Sequence, residues 1–151
     1  MAGMEKAATS LPNIDDIVAD FEILDQWEDR YRYVIELGRN LAPLAGADRT
    51  AENKVRGCAS QVWLVTRIDG NGPDARLVVA GDSDAMIVRG LVAIAIALFS
   101  GKTAREILET DADAVFDRLD LRAHLTAQRS NGLRSLVDRI KADARRAGEA
   151  S

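Results

Sequence analysis

The sequence predicts an α+β fold, because helical patterns occupy both ends of the chain and two extended segments lie between them. Segments 61–68 and 76–80 are rich in β-branched and aromatic residues, which favour strands. The turn-like residues 69–73, "DGNGP", predict that these segments form a small antiparallel hairpin. A lone hairpin is marginally stable in water, so we expect a short third strand around Val55 and covering helices. A parallel α/β sheet would instead alternate strands and helices along the chain.

Two helices are expected before the hairpin. Asn13 is a candidate N-cap, and it is followed by apolar residues at helical spacing: Ile14, Ile17, Val18, Phe21 and Leu24. A second helical pattern runs from Trp27 to Leu37, where Gly38 is a candidate C-terminal stop. The N-terminal third of the chain is therefore predicted to be helical.

A buried helix is expected after the hairpin, from about Asp84 to Phe99. Ser83 is its candidate N-cap, and Gly101 is expected to end it. Apart from Arg89, its residues are apolar or small on all sides, which indicates burial between the sheet and other helices.

Further helices are expected in the last third of the chain. Thr103 and Glu106 have the spacing of a capping box, and Thr110 with Asp113 is expected to open a helix that reaches about Leu119. A last amphipathic helix is marked by the apolar residues Leu133, Leu136, Val137, Ile140 and Ala144.

The composition predicts one domain over residues 11–146, with flexible termini at 1–10 and 147–151. The chain has 151 residues and 47% hydrophobic content, which is enough to form one core. Its formal net charge of −4 provides no basic surface for phosphates, so no nucleic-acid partner is expected. The longest apolar run, 90–99, is about half of the roughly 20 residues that cross a membrane, and no apolar signal segment is recognisable. We therefore expect a cytoplasmic protein without membrane association.

Cysteine and histidine each occur once, as Cys58 and His124. One cysteine cannot close an intramolecular disulfide, and the pair cannot complete the tetrahedral site that zinc prefers. We therefore expect no structural metal. Any chemistry of Cys58 must act on a partner, or must use His124 as a base, although the apolar neighbours of His124 favour a packed or capping histidine.

The cysteine lies in the segment 53–64, "NKVRGCASQVWL", where charged residues give way to an apolar run. A small buried hydrophobic residue is one interpretation of Cys58, but the charged approach favours a position near the surface, where Gly57 lets a partner's backbone come close. In a solvated loop, Lys54 and Arg56 would together lower the thiol pKa by about one unit. Such a moderate nucleophile suits exchange between sulfur atoms.

Four segments resemble the SufE-type sulfur acceptors of iron–sulfur cluster assembly. They are the cysteine segment 53–64, "GDSDAMIVRGLVAI" at 81–94, "HLTAQRSNGLRSLVDRIK" at 124–141 and "FEILDQWEDRYRYVIELGR" at 21–39. The segments occur in the same order and cover nearly the whole chain. The sequence departs from the family at Ala59, where members often have a larger polar residue.

The resemblance implies a SufE/IscU-like fold and a persulfide on Cys58. Family members bind a pyridoxal-phosphate-dependent cysteine desulfurase of the SufS or CsdA type, stimulate it, take its sulfur and pass the sulfur to an iron–sulfur scaffold. The chain itself would bind no pyridoxal phosphate, metal or cluster, and would be a sulfurtransferase accessory protein rather than a free-standing enzyme. Family members can also place the thiol in an apolar pocket; burial raises a thiol pKa, so the lowered value applies to a loop opened by the partner.

The resemblance also suggests supporting residues. Arg129, in "QRSNGL", is expected near the cysteine and could contact the partner or the persulfide anion, and Asp84 could tune the cysteine loop. Gly57, Gln61 and Arg56 are the other candidates, as residues of the loop. Two alternatives remain open: an activator that binds the desulfurase without carrying sulfur, and a thiol enzyme that uses Cys58 with His124.

Overall fold

The computed structural model describes residues 11–58 and 60–149, with the exception of the side chain of Arg122. Two helices precede a hairpin and five follow it within this part of the chain. The elements are α1 (Ile14–Ile23), α2 (Trp27–Arg39), a 3₁₀ turn (Gly46–Asp48), β1 (Val62–Asp69), β2 (Arg76–Ser83), α3 (Met86–Phe99), α4 (Ala104–Glu109), α5 (Ala112–Arg118), α6 (Leu121–His124) and α7 (Ala127–Glu149). The predicted α+β class is confirmed.

The hairpin is antiparallel, and its register runs from the pair Val62–Ser83 to the pair Asp69–Arg76. The third strand expected around Val55 is reduced to one antiparallel bridge, between Lys54 and Trp63. Two backbone hydrogen bonds support this bridge: the Val55 N–H donates to Val62 at 2.8 Å, and the Leu64 N–H donates to Asn53 at 2.8 Å. The approach to the cysteine is thereby attached to β1.

Helix α3 forms the centre of the core. Most of its 14 residues are buried, as the apolar pattern predicts, and it packs against α2, β2 and α7. Helix α2 approaches it so closely that a Cβ atom on Gly38 would lie 2.8 Å from the backbone nitrogen of Gly90. The prediction that Gly38 stops its helix was therefore wrong. Helix α2 continues to Arg39, and Gly38 is instead needed for close packing.

Two of the predicted helix caps are confirmed. Asn13 accepts a hydrogen bond from the Asp16 N–H at 2.8 Å. Thr103 and Glu106 form the complete capping box of α4, in which each side chain accepts from the other residue's backbone N–H.

Two other predicted caps were wrong by one or more residues. Ser83 is the last residue of β2, and its hydroxyl donates to the Gln61 carbonyl at 2.8 Å, so α3 begins only at Met86. Helix α5 is capped by Asp111, which accepts from the Ala114 N–H at 3.1 Å. The Thr110 hydroxyl instead donates to the Glu106 carbonyl, in the last turn of α4, at 2.7 Å.

Helix α7 buries all the apolar positions that mark it in the sequence. It continues to Glu149, and Ala147 is only 2% exposed, so the domain boundary predicted at residue 146 falls inside this helix. Residues 1–10, 150 and 151, predicted as termini, lie outside the described residues. Among the described residues, no helix combines the length and apolar character that crossing a membrane requires.

A buried carboxylate attaches the segment that leads to the cysteine to the sheet. Asp82 of β2 is 1% exposed and pairs with Arg49 at 2.6 Å and with Arg89 of α3 at 3.3 Å. It also accepts from the Leu44 N–H at 3.1 Å. The Arg49 guanidinium lies over the buried Trp63 ring, 5.3 Å from its centroid. Strand β2 therefore fixes residues 44–49, from which the chain runs to Cys58.

Candidate functional site

Residues 56–61, here called the cysteine loop, lead from the Lys54–Trp63 bridge back into β1. Gly57 has a positive φ of 88°, which residues with a Cβ rarely adopt. A Cβ at this position would also lie 2.6 Å from the Ser135 hydroxyl of α7. The close approach that the sequence suggested for Gly57 is therefore made, in this chain, with its own last helix.

The Cys58 side chain is half-buried and faces α7. Its thiol donates to the backbone carbonyl of Gly132 over 3.6 Å. Gly132 lies within the helix, where glycine costs about 0.5–1 kcal/mol relative to alanine. Since a Cβ on Gly132 would lie only 3.5 Å from Cys58 Sγ, the glycine marks the place where the helix meets the thiol.

A pocket of about 140 Å³ lies beside the thiol and is here called the cysteine pocket. Helices α3 and α7 provide its apolar lining: Val88, Leu91, Leu133 and Leu136. Its remaining lining comes from Cys58 and Gly132 and from the polar residues Ser60, Gln128 and Arg129. Arg129, which is half-buried in the first turns of α7, therefore shares a pocket with Cys58.

Burial raises the pKa of the Cys58 thiol above its usual value. Lys54 and Arg56 are exposed, and neither lines the cysteine pocket. The lowering of the thiol pKa that the sequence predicts for a solvated loop therefore does not apply to the closed loop, where burial raises this pKa. In this arrangement the thiol is a protonated hydrogen-bond donor and a poor nucleophile.

Residues 83 and 84, just before α3, hold the end of the cysteine loop. Asp84 Oδ1 accepts from the Gln61 backbone N–H at 3.1 Å, and the Asp84 N–H donates to the Gln61 carbonyl at 3.3 Å. The same carbonyl accepts from the Ser83 hydroxyl. Asp84 thus contacts the loop, while Gln61 takes part through its backbone and its side chain is exposed.

Helix α7 also contacts the residues that lead into the cysteine loop. Arg139 donates to the backbone carbonyl of Glu52 at 3.0 Å and to that of Lys54 at 3.4 Å. Arg56 lies beside this contact, in a second depression that also includes Ser135 and Arg139. Arg56 is therefore a surface residue of the loop rather than part of the cysteine pocket.

His124 does not line the cysteine pocket. Its ring stacks on Trp27 with the centroids 4.3 Å apart and an interplanar angle of 16°, and its Nδ1 lies 3.1 Å from the Asp120 carbonyl. This is the packed histidine that the sequence favoured. Within the described residues, no cluster of three or more His, Cys, Asp or Glu side chains is arranged to hold a metal.

Sequence reasoning missed Gly132, Ser135 and Arg139. Gly132 had a usable signal, because a glycine inside a helical pattern often has a packing reason. Ser135 and Arg139 had none, since a serine and an arginine on a helix usually face solvent. Ala59, where the sequence departs from the family, lies outside the described residues.

A family model described as SufE, Fe-S metabolism associated domain, matches residues 15–144. An uncharacterized SufE-like protein of Rhizobium meliloti is 57% identical over 134 residues, which cover 89% of this chain and 96% of that protein. A second uncharacterized SufE-like protein, from Rhizobium etli, is 56% identical over 135 residues, covering 89% and 91%.

The fold has a counterpart among solved structures. The solution structure of a hypothetical protein from Thermus thermophilus superposes with a TM-score of 0.67 at 19% identity, covering 91% of this chain and 96% of that one. This likeness concerns the fold alone. The family match spans most of the chain, and the Rhizobium relatives extend over nearly the same length, so this protein belongs to the SufE family, which is associated with iron–sulfur metabolism.

Proposed function

We propose that this protein takes sulfur from a pyridoxal-phosphate-dependent cysteine desulfurase onto Cys58, stimulates that enzyme and passes the sulfur to an iron–sulfur scaffold in the cytoplasm. The observation that carries the proposal is the position of its single cysteine, on a loop beside a small pocket, in a chain of the SufE family. A reducing compartment suits this chemistry, because it keeps an unpaired thiol available.

The resting protein holds its thiol in an inactive form. Burial favours the neutral thiol, and the Gly132 carbonyl accepts its proton in a hydrogen bond. Opening of the cysteine loop exposes the sulfur to water and removes the desolvation that raises its pKa. Lys54 and Arg56 then favour the thiolate, so reactivity is coupled to loop opening.

The transfer exchanges one sulfur–sulfur bond for another. The Cys58 thiolate attacks the outer sulfur of the desulfurase persulfide, a bond forms between these two atoms, and the original S–S bond breaks. Its electron pair leaves with the sulfur of the desulfurase cysteine, which takes up a proton equivalent to the one that Cys58 released. One thiol and one persulfide thus become one persulfide and one thiol, with no external oxidant or reductant.

The end of the loop is held closed by the hydrogen bonds between residues 83–84 and the Gln61 backbone. A net contribution of about 1 kcal/mol for each makes opening cost on the order of a few kcal/mol. A partner that binds only the open loop can supply this free energy from its own interface.

Arg129 provides a positive charge in the pocket where a Cys58 persulfide would form. A persulfide carries negative charge on its outer sulfur when ionised, and a half-buried guanidinium in the same pocket favours that charge. We assign Arg129 to this role, with Asp84 and the Gln61 backbone as the loop-holding pair and with Gly57 as the turn residue that brings the loop against α7.

The test is to incubate the protein with its desulfurase, free cysteine and pyridoxal phosphate and to measure its mass. The expected product is an adduct of about 32 Da, one sulfur atom, on Cys58. The Cys58→Ser variant should gain no mass and should no longer stimulate the desulfurase. The control is His124→Gln, which should accept sulfur normally because His124 is not part of the cysteine pocket.

The alternatives give different results in the same experiment. If the protein is an activator that carries no sulfur, its Cys58→Ser variant would still bind and stimulate the desulfurase. The wild type would then show no adduct. A thiol enzyme that relies on a histidine base would lose its activity in the His124→Gln variant. Either result would overturn the proposal.

A further inference from the structure

Asp143 is a buried carboxylate that the sulfur transfer described above does not use. It lies on α7 and is 5% exposed, although an aspartate is almost never buried unless its charge is paired. Towards the sheet, its Oδ2 accepts a hydrogen bond from the Thr66 hydroxyl of β1 at 2.8 Å. This bond joins the last helix to the hairpin and fixes the position of the carboxylate.

The other carboxylate oxygen of Asp143 faces two arginines of the same helix. Oδ1 pairs with Arg146, and it lies 3.8 Å from Nε of Arg139. The Arg146 side chain is 71% exposed, whereas that of Arg139 is 28% exposed and reaches the residues that lead into the cysteine loop. Arg139 therefore connects the buried carboxylate with the cysteine segment.

Each nitrogen of the Arg139 guanidinium has a partner in this arrangement. Nε faces Asp143, Nη1 donates to the Lys54 carbonyl at 3.4 Å, and Nη2 donates to the Glu52 carbonyl at 3.0 Å. Because the guanidinium is planar, a carboxylate that holds Nε also restricts where the two terminal nitrogens can point. An arginine side chain that is restricted beforehand loses less conformational entropy when it binds the two carbonyls.

We propose that Asp143 is a positioning residue for the reaction of Cys58: by holding Arg139 against the carbonyls of residues 52 and 54, it sets how readily the cysteine loop opens. The inference rests on the proposed function, which needs an open loop. It adds a second point of control, at the beginning of the loop, whereas residues 83 and 84 hold its end. Asp143 does not line the cysteine pocket, so its effect passes through Arg139.

An Asp143→Asn variant weakens this arrangement with little change in shape. The single amide oxygen of asparagine can accept from Thr66 or from Arg139 but not from both in the observed geometry, and its NH₂ group offers only donors. The substitution also removes the charge that attracts the guanidinium. Since Arg139 is partly exposed, the expected effect is modest: alkylation of Cys58 by iodoacetamide should become about two- to threefold faster.

The decisive measurement repeats this substitution in an Arg139→Ala background. If Asp143 acts through Arg139, the variant with both substitutions should be alkylated at the same rate as Arg139→Ala, within about 1.5-fold. A carboxylate that only anchors α7 to β1 would instead speed alkylation by the same factor in both backgrounds. Equal factors would overturn the inference.

Arg146→Ala is the matched control, because Arg146 lies on the same helix and pairs with the same carboxylate oxygen. The carbonyls of Glu52 and Lys54 are held by Arg139, so this variant should be alkylated at the wild-type rate. If Arg146→Ala reacts as fast as Arg139→Ala, the inference fails, since pairing of the carboxylate in general, and not its contact with Arg139, would then control the loop.

A second readout uses the desulfurase. A loop that opens more readily costs the partner less to open, so Asp143→Asn should lower the protein concentration for half-maximal stimulation about two- to threefold. The maximal stimulated rate should stay the same. A lower maximal rate at an unchanged half-maximal concentration would place Asp143 in the transfer step and would contradict the positioning role.

The remaining outcomes separate the two proposals. A wild type that neither gains sulfur nor stimulates the desulfurase overturns the proposed function, while the alkylation rates, which need no partner, still decide how the loop is held. Urea unfolding checks that the variants are folded, and Asp143→Ser is the second substitution. If neither Asp143→Asn nor Asp143→Ser folds, the carboxylate is needed by the whole domain rather than by Arg139, and the inference is overturned.

Discussion

The carboxylate of Asp84 accepts a hydrogen bond from the backbone N–H of Gln61, with the two atoms 3.1 Å apart. This contact joins the residue pair that precedes α3 to the last residue of the cysteine loop. Because α3 is the most buried helix of the core, the loop is attached to the most rigid part of the fold. We therefore expect access to Cys58 to depend on Asp84, which does not line the cysteine pocket.

Replacement of Asp84 by alanine should open the loop more often. The variant loses one hydrogen bond to a charged acceptor on an exposed side chain, worth about 1 kcal/mol, which corresponds to about a fivefold larger open population. The second-order rate of Cys58 alkylation by iodoacetamide should rise by about this factor. An unchanged rate would show that Asp84 does not hold the loop.

The Asp84→Asn variant separates this explanation from a helix-dipole effect. Asparagine keeps an oxygen that accepts from Gln61 but removes the negative charge that the N-terminus of α3 favours. If the contact with the loop is what matters, Cys58 in the Asp84→Asn variant should be alkylated nearly as slowly as in the wild type. A dipole effect predicts instead that Asn and Ala behave alike.

Replacement of Arg139 by alanine should loosen the other end of the same segment. Its guanidinium donates to the carbonyls of Glu52 and Lys54, ahead of the cysteine loop. The loss should increase Cys58 alkylation about two- to fivefold. Arg134→Ala is the control, since Arg134 lies on the same helix but its side chain is 70% exposed and pairs with Asp113 at 4.0 Å. Equal rates for the two variants would contradict the role of Arg139.

The pH dependence of alkylation should report the burial of Cys58. Only the thiolate reacts, and burial raises its pKa, so the folded protein should react more slowly than its urea-unfolded form at pH 8 and should reach half-maximal rate at a higher pH. The same shift makes the contribution of the neutral thiol to stability complete below the unfolded pKa of about 8.5 and lost as pH rises through the folded pKa. Binding of the desulfurase should move the midpoint downwards; a midpoint below that of the unfolded chain before any partner is added would contradict the buried resting state.

The order of elements was predictable because hydrophobic periodicity and cap residues are local signals. Asn13 and Thr103 satisfy backbone groups within a few residues, and their roles are visible in the sequence alone. Ser83 was misjudged because it can serve either a helix start or a strand end. Its hydroxyl donates to the Gln61 carbonyl, which is far away in the chain, and Ser83 therefore ends the strand.

The site was predictable only in part, because some of its contacts join residues that are far apart in the chain. Cys58 stands out as the single cysteine, and two other segments that resemble the family, 81–94 and 124–141, direct attention to Asp84 and Arg129. The direction of the thiol pKa was not readable from neighbouring charges, because it depends on burial against α7. Gly132 is visible in the sequence as a glycine inside a helical pattern, but its contact with Cys58 is made only by folding. Arg139 also reaches the cysteine segment only through folding, and no local pattern identifies it.

Asp82 should be far more costly to remove than an exposed carboxylate such as Asp69. Its side chain is 1% exposed, against 53% for Asp69, and it pairs with both Arg49 and Arg89. An Asp82→Ala variant therefore removes a buried carboxylate shared by two arginines and by the Leu44 N–H. Breaking a buried pair in this way costs about 3 kcal/mol. Asp69→Ala, which removes the exposed partner of Arg67, should cost less than about 1 kcal/mol. Urea unfolding measures both, and equal costs would contradict the structural role of Asp82.

Gly90 should tolerate no side chain, because it lies where α2 and α3 cross. A Cβ at this position would fall within 2.6 Å of Val34 Cγ1 and 2.8 Å of the Val34 carbonyl carbon, so the helix backbones would have to separate. The Gly90→Ala variant should therefore lose about 3 kcal/mol of unfolding free energy, even though alanine gains about 1 kcal/mol of helix propensity.

Gly46→Ala provides the comparison for this loss, because a Cβ on Gly46 would meet no atom within 4 Å. Its unfolding free energy, measured with urea, should differ from the wild-type value by no more than about 0.5 kcal/mol. Since α3 also lines the cysteine pocket, surviving Gly90→Ala protein should show faster alkylation of Cys58, as expected when Val88 and Leu91 shift away from the thiol. A Gly90→Ala variant as stable as Gly46→Ala would mean that the two helices can separate freely, and that the packing at Gly38 and Gly90 does not determine the position of the pocket wall.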